Sequence, residues 1–534
     1  MSSAEETTTG TALSHRQILI VFSGLMLALL LAALDQTIVG TALPTIVGDL
    51  GGLNHLSWVV TAYLLTSTTG ALLYGKLSDL YGRKRIFQVA IVIFLIGSAL
   101  AGLSQNMTQL IVFRALQGVG AGGLIVLAMT VIGDIVSPRD RGRYQGYFGA
   151  VFGFATVAGP LLGGFLVDNL TWRWVFYINL PIGIVALFVI AVVLKESGTR
   201  RQHRVDYLGS ALMVIGVSAL LMVSVWGGQT YAWISKPIIG MGILGVVFVA
   251  LFLAREHYAA EPILPLRLFR NKVFSIANAM GFIVGLVMFG AIIYIPVYLQ
   301  LARGASPTIS GLQLLPLVIG LFAASIGGGQ IITRVGRYKI FPIVGTALMA
   351  VGLIMLSGLH SHTNLWVLWA DMIVLGVGIG ACLQVLILAV QNAVGYQDLG
   401  TATAASTFMR SMGGTFGTAI FGAVLTSRLA FWLVRLLPGG SSAATTGGNV
   451  TSSPAVVKTL PAPIRDAIVE SFVRSLHTVF LVGVPIVAVA FVLSFFLPEV
   501  PLRRTVRDES VPLSDTELAT EFEPPAADLD ATAI

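Results

Sequence analysis

The chain has 534 residues, of which 56% are hydrophobic and only 11% charged, with a mean hydropathy of +0.87. That composition excludes a soluble globular protein and points to a chain that crosses a membrane many times. The net charge of +7 is no argument for nucleic acid, because the basic residues collect in short loops on one side of the predicted bundle.

Mostly apolar runs of about 20 residues, enough to cross roughly 30 Å of hydrocarbon as helices, recur about fourteen times. The first seven cover 18–39, 56–74, 86–103, 110–132, 147–167, 175–194 and 208–226. The second seven cover 238–254, 273–299, 309–332, 340–359, 365–390, 404–425 and 479–497. Because the runs are continuously apolar rather than alternating, they exclude an outer-membrane barrel. The first run has no small-residue cleavage site and is expected to be retained.

Lys and Arg favour cytoplasmic loops, and here they cluster at Lys76, Arg83, Lys84 and Arg85, at Arg139, Arg141 and Arg143, and at Arg334, Arg337 and Lys339. This predicts cytoplasmic termini and a multi-pass protein of the cell inner membrane. Cys382 is the single cysteine, so no internal disulfide and no cysteine-based metal site is expected, and no metal or cofactor is called for.

The first span holds a lone carboxylate, Asp35. An ionised Asp near mid-bilayer costs ~2.5–3.5 kcal/mol on insertion scales, so such residues default to functional sites. The plain alternative puts Asp35 at the outer end of its helix, wetted by headgroup water. Arg114 in the fourth span needs a partner for its buried guanidinium, and a carboxylate that changes protonation state is the economical candidate, which points to Asp35. The alternative is a bond to backbone carbonyls or snorkelling outward. Asp371, in the outer third of the twelfth span, reads equally as a second proton or cation site or as a wetted residue. Gln117, Asn278 and Gln384 are candidate cavity-lining residues, although most intramembrane amides only bond neighbouring helices. Arg410 reads as packing that reaches towards the inner surface.

An internal repeat organises the chain. The loop from Gly75 to Arg85, with Asp79, Gly82 and Arg83, reappears 254 positions later from Gly329 to Lys339, with both glycines and two basic positions conserved in place. Gly118, Gly120 and Gly122 return 258 positions later as Gly376, Gly378 and Gly380, and Gly159 and Gly164 as Gly417 and Gly422. The expected fold is therefore an all-α polytopic membrane protein, two six-helix bundles related by a pseudo-twofold repeat plus two inserted helices. The expected organisation is an N-terminal tail over 1–16, a bundle over 17–204, and inserted helices and linker over 205–272. A second bundle over 273–497 follows, with an external loop at about 427–475, and an acidic disordered tail covers 498–534. Within that loop, 464–476 reads as an interfacial amphipathic helix. Parallel six-helix repeats are the build of rocking transporters with a site between the halves.

These residues resemble the major facilitator superfamily, in its fourteen-helix drug/proton antiporter branch, and the resemblance runs from about residue 17 to 497. The Gly75 to Arg85 loop is similar to the superfamily signature between spans two and three, which implies a cytoplasmic gate latch of Gly75, Asp79, Gly82, Arg83 and Arg85. Gly159, Pro160, Gly163 and Gly164 look like the antiporter signature, with Ala155 where the family pattern has Gly. A generic small-residue packing face is the alternative. Arg114 in its Gly-rich context is similar to the second family motif. Leu34 to Pro44 and Trp172 to Gly183 resemble the branch's motifs in the first helix and at the start of the sixth, with Gly40 and Thr41 departing from the former.

Two apparent nucleotide motifs fail. Gly70-x4-Gly75-Lys76 has Leu77 where a P-loop needs Ser or Thr, and Gly118-x-Gly120-x-x-Gly123 lies inside an apolar span without a preceding strand. An ion gradient is then the expected energy source. The resemblance implies a proton-coupled antiporter exporting amphipathic compounds, with no enzyme activity and no catalytic residue. Expected partners are membrane lipid, small amphipathic substrates and protons, with no nucleic acid, the protein working as a monomer. Export of a specific lipid, siderophore or antibiotic natural product on the same scaffold is the nearest alternative, and a non-transporting sensor a distant one.

Overall fold

Backbone polar groups find no water in hydrocarbon, so apolar runs satisfy them internally as helices. The computed structural model describes residues 15–50, 56–194, 206–228, 231–259, 261–305, 307–361, 363–437 and 460–502. Among these residues no β-strand forms and every predicted span is helical. The first bundle comprises α1 (His15–Leu50), α2 (Leu56–Tyr81), α3 (Arg83–Leu103), α4 (Met107–Ile135), α5 (Pro138–Asn169), and the broken pair α6 (Trp174–Tyr177) and α7 (Asn179–Val193). Two further helices follow, α8 (Tyr207–Trp226) and α9 (Lys236–Tyr258). The second bundle comprises α10 (Lys272–Leu301), the pair α11 (Pro307–Leu312) and α12 (Leu315–Val335), α13 (Ile340–Ser357), α14 (Leu365–Ala393), α15 (Leu399–Leu436) and α16 (Ala462–Phe496).

Thirteen helical stretches among the described residues are long and apolar enough to span a bilayer. The remaining predicted span, 56–74 in α2, loses apolarity to Thr66, Ser67, Thr68 and Thr69. The hydroxyls of Thr66, Ser67 and Thr69 are bonded back to carbonyls one turn earlier, as with Thr66 Oγ1 to Ala62 O (2.9 Å) and Thr69 Oγ1 to Leu65 O (2.8 Å), and α2 packs inside the bundle against α4.

The glycine repeat does the same work in both bundles. A Cβ on Gly120 would lie 2.6 Å from Ala90 O of α3, and one on Gly378 would lie 2.7 Å from Gly345 O of α13. Gly118 and Gly122 face α2, and Gly376 and Gly380 face α12. These contacts bring helix backbones together without an intervening side chain, the usual means of close packing in lipid, where apolar burial alone does not favour helix association.

The bundles meet along two equivalent seams. Gly142 of α5 abuts Gly329 of α12 backbone to backbone, and Gly146 and Gly153 continue that seam against Ile326 and Phe322. On the other side Gly75 of α2 faces Gly400 of α15, whose carbonyl oxygen would lie 2.8 Å from an added Cβ. The inserted α8 packs on α9 and touches both α2 and α15, lying over this second seam. Trp58 of α2 meets Trp226 of α8 edge to face. The linker behind α9 is tied down where Glu256 accepts from the backbone N–H of Ile263 and Leu264, both at 3.0 Å.

One reading of the sequence is corrected. The stretch 464–476 is not an interfacial helix; it is the first part of α16, continuous to Phe496. Ile468, Phe472, Val473, Leu476 and Val479 are buried in the core of the second bundle, and no helix breaker separates them from the span beyond. Likewise α15 runs on to Leu436, beyond its predicted end. Residues 438–459 of the external loop, the N-terminal tail to residue 14 and the acidic tail from 503 lie outside the described residues.

Candidate functional site

Asp35 lies twenty residues into α1 and is fully buried, as is Arg114 on α4 (0% and 1% exposed). At a rise of about 1.5 Å per residue the carboxylate lies about 30 Å from the start of α1 and about 22 Å from its end, so Asp35 does not sit at the outer end of its helix. Arg114 Nη1 donates to Asp35 Oδ2 at 2.7 Å, Gln117 Nε2 to Asp35 Oδ1 at 2.8 Å, and Asn179 Nδ2 to Asp35 Oδ1 at 3.0 Å. Arg114 Nη1 also donates to Gln117 Oε1 at 2.7 Å, and Gln117 sits one turn beyond it on the same face of α4. The guanidinium lies over the Tyr63 ring, 4.1 Å from its centroid, with Phe176 at 5.7 Å on another side. A buried pair persists when its remaining donors and acceptors are satisfied, and removing one partner of such a pair costs about 3–5 kcal/mol.

Sequence reasoning missed Asn179 and its support. Asn179 Nδ2 also donates to Ser98 Oγ at 3.0 Å, and Ser98 Oγ donates to Phe176 O at 2.8 Å. The break at Ile178 between α6 and α7 puts Asn179 at the first turn of α7, from which it reaches α1 and α3 together. The available signal was its place in the quoted string from Trp172 to Gly183.

Asp371 is not part of this network. It is buried on α14 in the second bundle and makes no hydrogen bond or ion pair among the described residues. The structure thus joins two of the three residues expected to couple protons.

At the Lys- and Arg-rich end, the repeated loop forms a cross-bundle cap. Gly82, at φ 92°, makes the whole reversal between α2 and α3, a backbone conformation in which glycine is nearly strain-free. Its repeat counterpart Gly336 ends α12 at φ 78°. Arg83 pairs with Asp79 and, through Nε, with Asp134 Oδ2 at 2.8 Å. Arg85 is exposed at the same end. Asp398, the N-cap residue of α15, gives no side-chain cap. Asp79 supplies it from the other bundle, accepting from Gly400 N (3.1 Å), Thr401 N (2.8 Å) and Thr401 Oγ1 (2.8 Å). A carboxylate here satisfies orphan amides and meets the positive end of the helix dipole. Arg139 of α5 donates to Thr333 O of α12 at 3.1 Å, so with the Asp79 cap both seams are bonded at this end, and Gln391 of α14 donates to Met129 O of α4 at 3.3 Å.

Along the expected antiporter helix, Gly159 and Gly163 pack on Thr37, Ile38 and Thr41 of α1, and Thr37 Oγ1 donates to Ala155 O at 2.8 Å. Ala155, standing at the family's glycine position, is buried against Ala33 and Leu34. Pro160 lies within α5, a continuous helix to Asn169. Gly164 differs from the expected packing face, since a Cβ there would meet nothing within 4 Å. Of the candidate cavity residues, Gln117 belongs to the Asp35 network, whereas Asn278 and Gln384 are buried in the second bundle.

The family model of the Major Facilitator Superfamily matches residues 25–418. An uncharacterized MFS-type transporter of Mycobacterium tuberculosis is 45% identical over 496 residues, 93% of this chain and 72% of that one. Multidrug transporter protein MdtP of Bacillus subtilis is 41% identical over 512 residues, 92% of this chain and 94% of that one. The solved proton:xylose symporter XylE shares the fold, with a TM-score of 0.60 at 14% identity over 92% of this chain and 98% of that chain. The chain belongs to the Major Facilitator Superfamily, a family of transporters rather than enzymes.

Proposed function

We propose that this protein is a proton-coupled antiporter that exports amphipathic compounds across the cytoplasmic membrane by alternating access of its two bundles. The observation that carries the reading is the fully buried Asp35, held between Arg114, Gln117 and Asn179 in the interior of the first bundle. Protonation of Asp35 removes the charge that Arg114 answers, so the network has two arrangements that differ by one proton. The energies are commensurate. Breaking such a pair costs about 3–5 kcal/mol, and one charge driven through 100 mV supplies about 2.3 kcal/mol before any pH difference is added.

In this reading the basic end faces the cytoplasm, with both termini there. The cap of Asp79 on α15 holds the cytoplasmic end shut, and proton binding or release at Asp35 biases its opening. The relation to a named multidrug transporter supports export of amphipathic compounds rather than uptake. Reconstitution into proteoliposomes with an imposed pH gradient and a panel of lipophilic cations, neutral drugs and lipids tests this. Asp35→Asn should insert and fold normally yet build no cargo gradient. Concentrative transport by that variant would remove Asp35 from the coupling role.

A further inference from the structure

A second intramembrane guanidinium stands in contrast to Arg114. Arg410 on α15 lines a small cavity with Asn278 and Val284 of α10, Leu383 and Ile387 of α14, and Ser406. Eleven residues from the start of α15 at Leu399, it lies roughly 16 Å inside the basic end. It forms no hydrogen bond or ion pair among the described residues. An arginine cannot shed its proton at accessible pH, so it cannot escape its charge as a buried Asp or Lys can.

The amide in the same lining, Asn278, has the complementary deficit. Asn278, 3% exposed, spends its Nδ2 on Phe274 O (2.8 Å), and its buried Oδ1 has no partner among the described residues. Gln384, next in sequence to the lining residue Leu383 and 5% exposed, has a buried Oε1 without a partner among the described residues. Gln384 shares a face of α14 with Ile387, which packs into the core of the first bundle, and with Gln391, which bonds Met129 of α4. That face therefore lies at the meeting of the two bundles. A forked cation beside an amide oxygen that only accepts, among Val284, Leu383 and Ile387, is matched by one kind of ligand group. It carries an anionic oxygen pair for Arg410, a hydroxyl or N–H for Asn278, and an apolar body.

We propose that the cavity at Arg410 binds the acid group of amphipathic organic acids carrying an adjacent hydroxyl or N–H, and that such acids are cargo of this transporter. The cargo clause rests on the export reading above; the binding clause does not. The test is equilibrium binding to full-length protein in phosphatidylcholine nanodiscs, free of anionic lipid. Its probes are 2-hydroxydecanoate, decanoate, methyl 2-hydroxydecanoate and decyltrimethylammonium. Expected is tightest binding of 2-hydroxydecanoate, with at least a tenfold loss for the ester and for the cation.

Arg410→Gln should weaken 2-hydroxydecanoate at least tenfold and leave the ester unchanged, with Arg410→Lys between. Asn278→Ala should abolish the advantage of 2-hydroxydecanoate over decanoate. Each variant is first checked for monodisperse elution and wild-type helicity, and the unchanged ester affinity reports an intact cavity. Equal affinity of wild type and Arg410→Gln for the acid, or equal binding of acid and cation, overturns the proposal. So does occupation by chloride or added phosphatidylglycerol with no binding of the acid. Acid binding together with Asp35→Asn that still concentrates cargo would sink the coupling assignment and leave this site standing.

Discussion

Replacing Asp79 by Ala removes the acceptor for two backbone amides and one hydroxyl of α15, all in the opposite bundle. Loss of a helix N-cap costs about 0.5–2 kcal/mol, and loss of a carboxylate beside a helix N-terminus about 0.3–1 kcal/mol more. Arg83 keeps Asp134 (2.8 Å), so no cation is orphaned and the cost falls mainly on the contact between bundles. About 2 kcal/mol removed from the closed basic end shifts the opening equilibrium about thirtyfold, at 1.4 kcal/mol per decade. Spin labels at Tyr81→Cys and Ile340→Cys, both exposed near that end, in a Cys382→Ala background, report its width by dipolar spectroscopy. Asp79→Ala should move the distance distribution towards a longer population, and Asp79→Asn, which retains an acceptor without the charge, should fall between. An unchanged distribution in Asp79→Ala would refute the cap as a latch.

Other perturbations follow from the packing. Gly378→Val places a side chain where even a Cβ lies 2.6 Å from Met349 N and should prevent accumulation of folded protein, measured by fluorescence-detected size exclusion. Gly164→Ala meets nothing within 4 Å and should be neutral or stabilising by up to about 1 kcal/mol. Asn179→Ala removes a donor from Asp35 and one from Ser98. It should cost about 1–3 kcal/mol in thermal stability and reduce cargo moved per proton in liposomes. Phe472→Asp puts a charge at a position 2% exposed in the core of the second bundle and should abolish folding, whereas an interfacial helix would tolerate it on its wetted side.

The sequence by itself determined the helices and the repeat. Spans follow from continuous apolarity, and the offset glycines follow from a packing rule that acts wherever two helices touch, so Gly120 and Gly378 could be matched before either partner was known. It also pointed Arg114 to Asp35, because a buried guanidinium needs a partner and a carboxylate is the economical one, while leaving a backbone partner or snorkelling open. What only the tertiary structure decided is everything settled by contacts across the chain. Asp79 caps a helix 321 positions away whose own N-cap, Asp398, does not. Asn179 joins the Asp35 network only because α6 and α7 break at Ile178. Residues 464–476 belong to the core because α10, α13 and α15 offer a surface to cover them. Local amphipathicity fixes which face of a helix is apolar; whether lipid or another helix meets that face is set by neighbours that no local window contains.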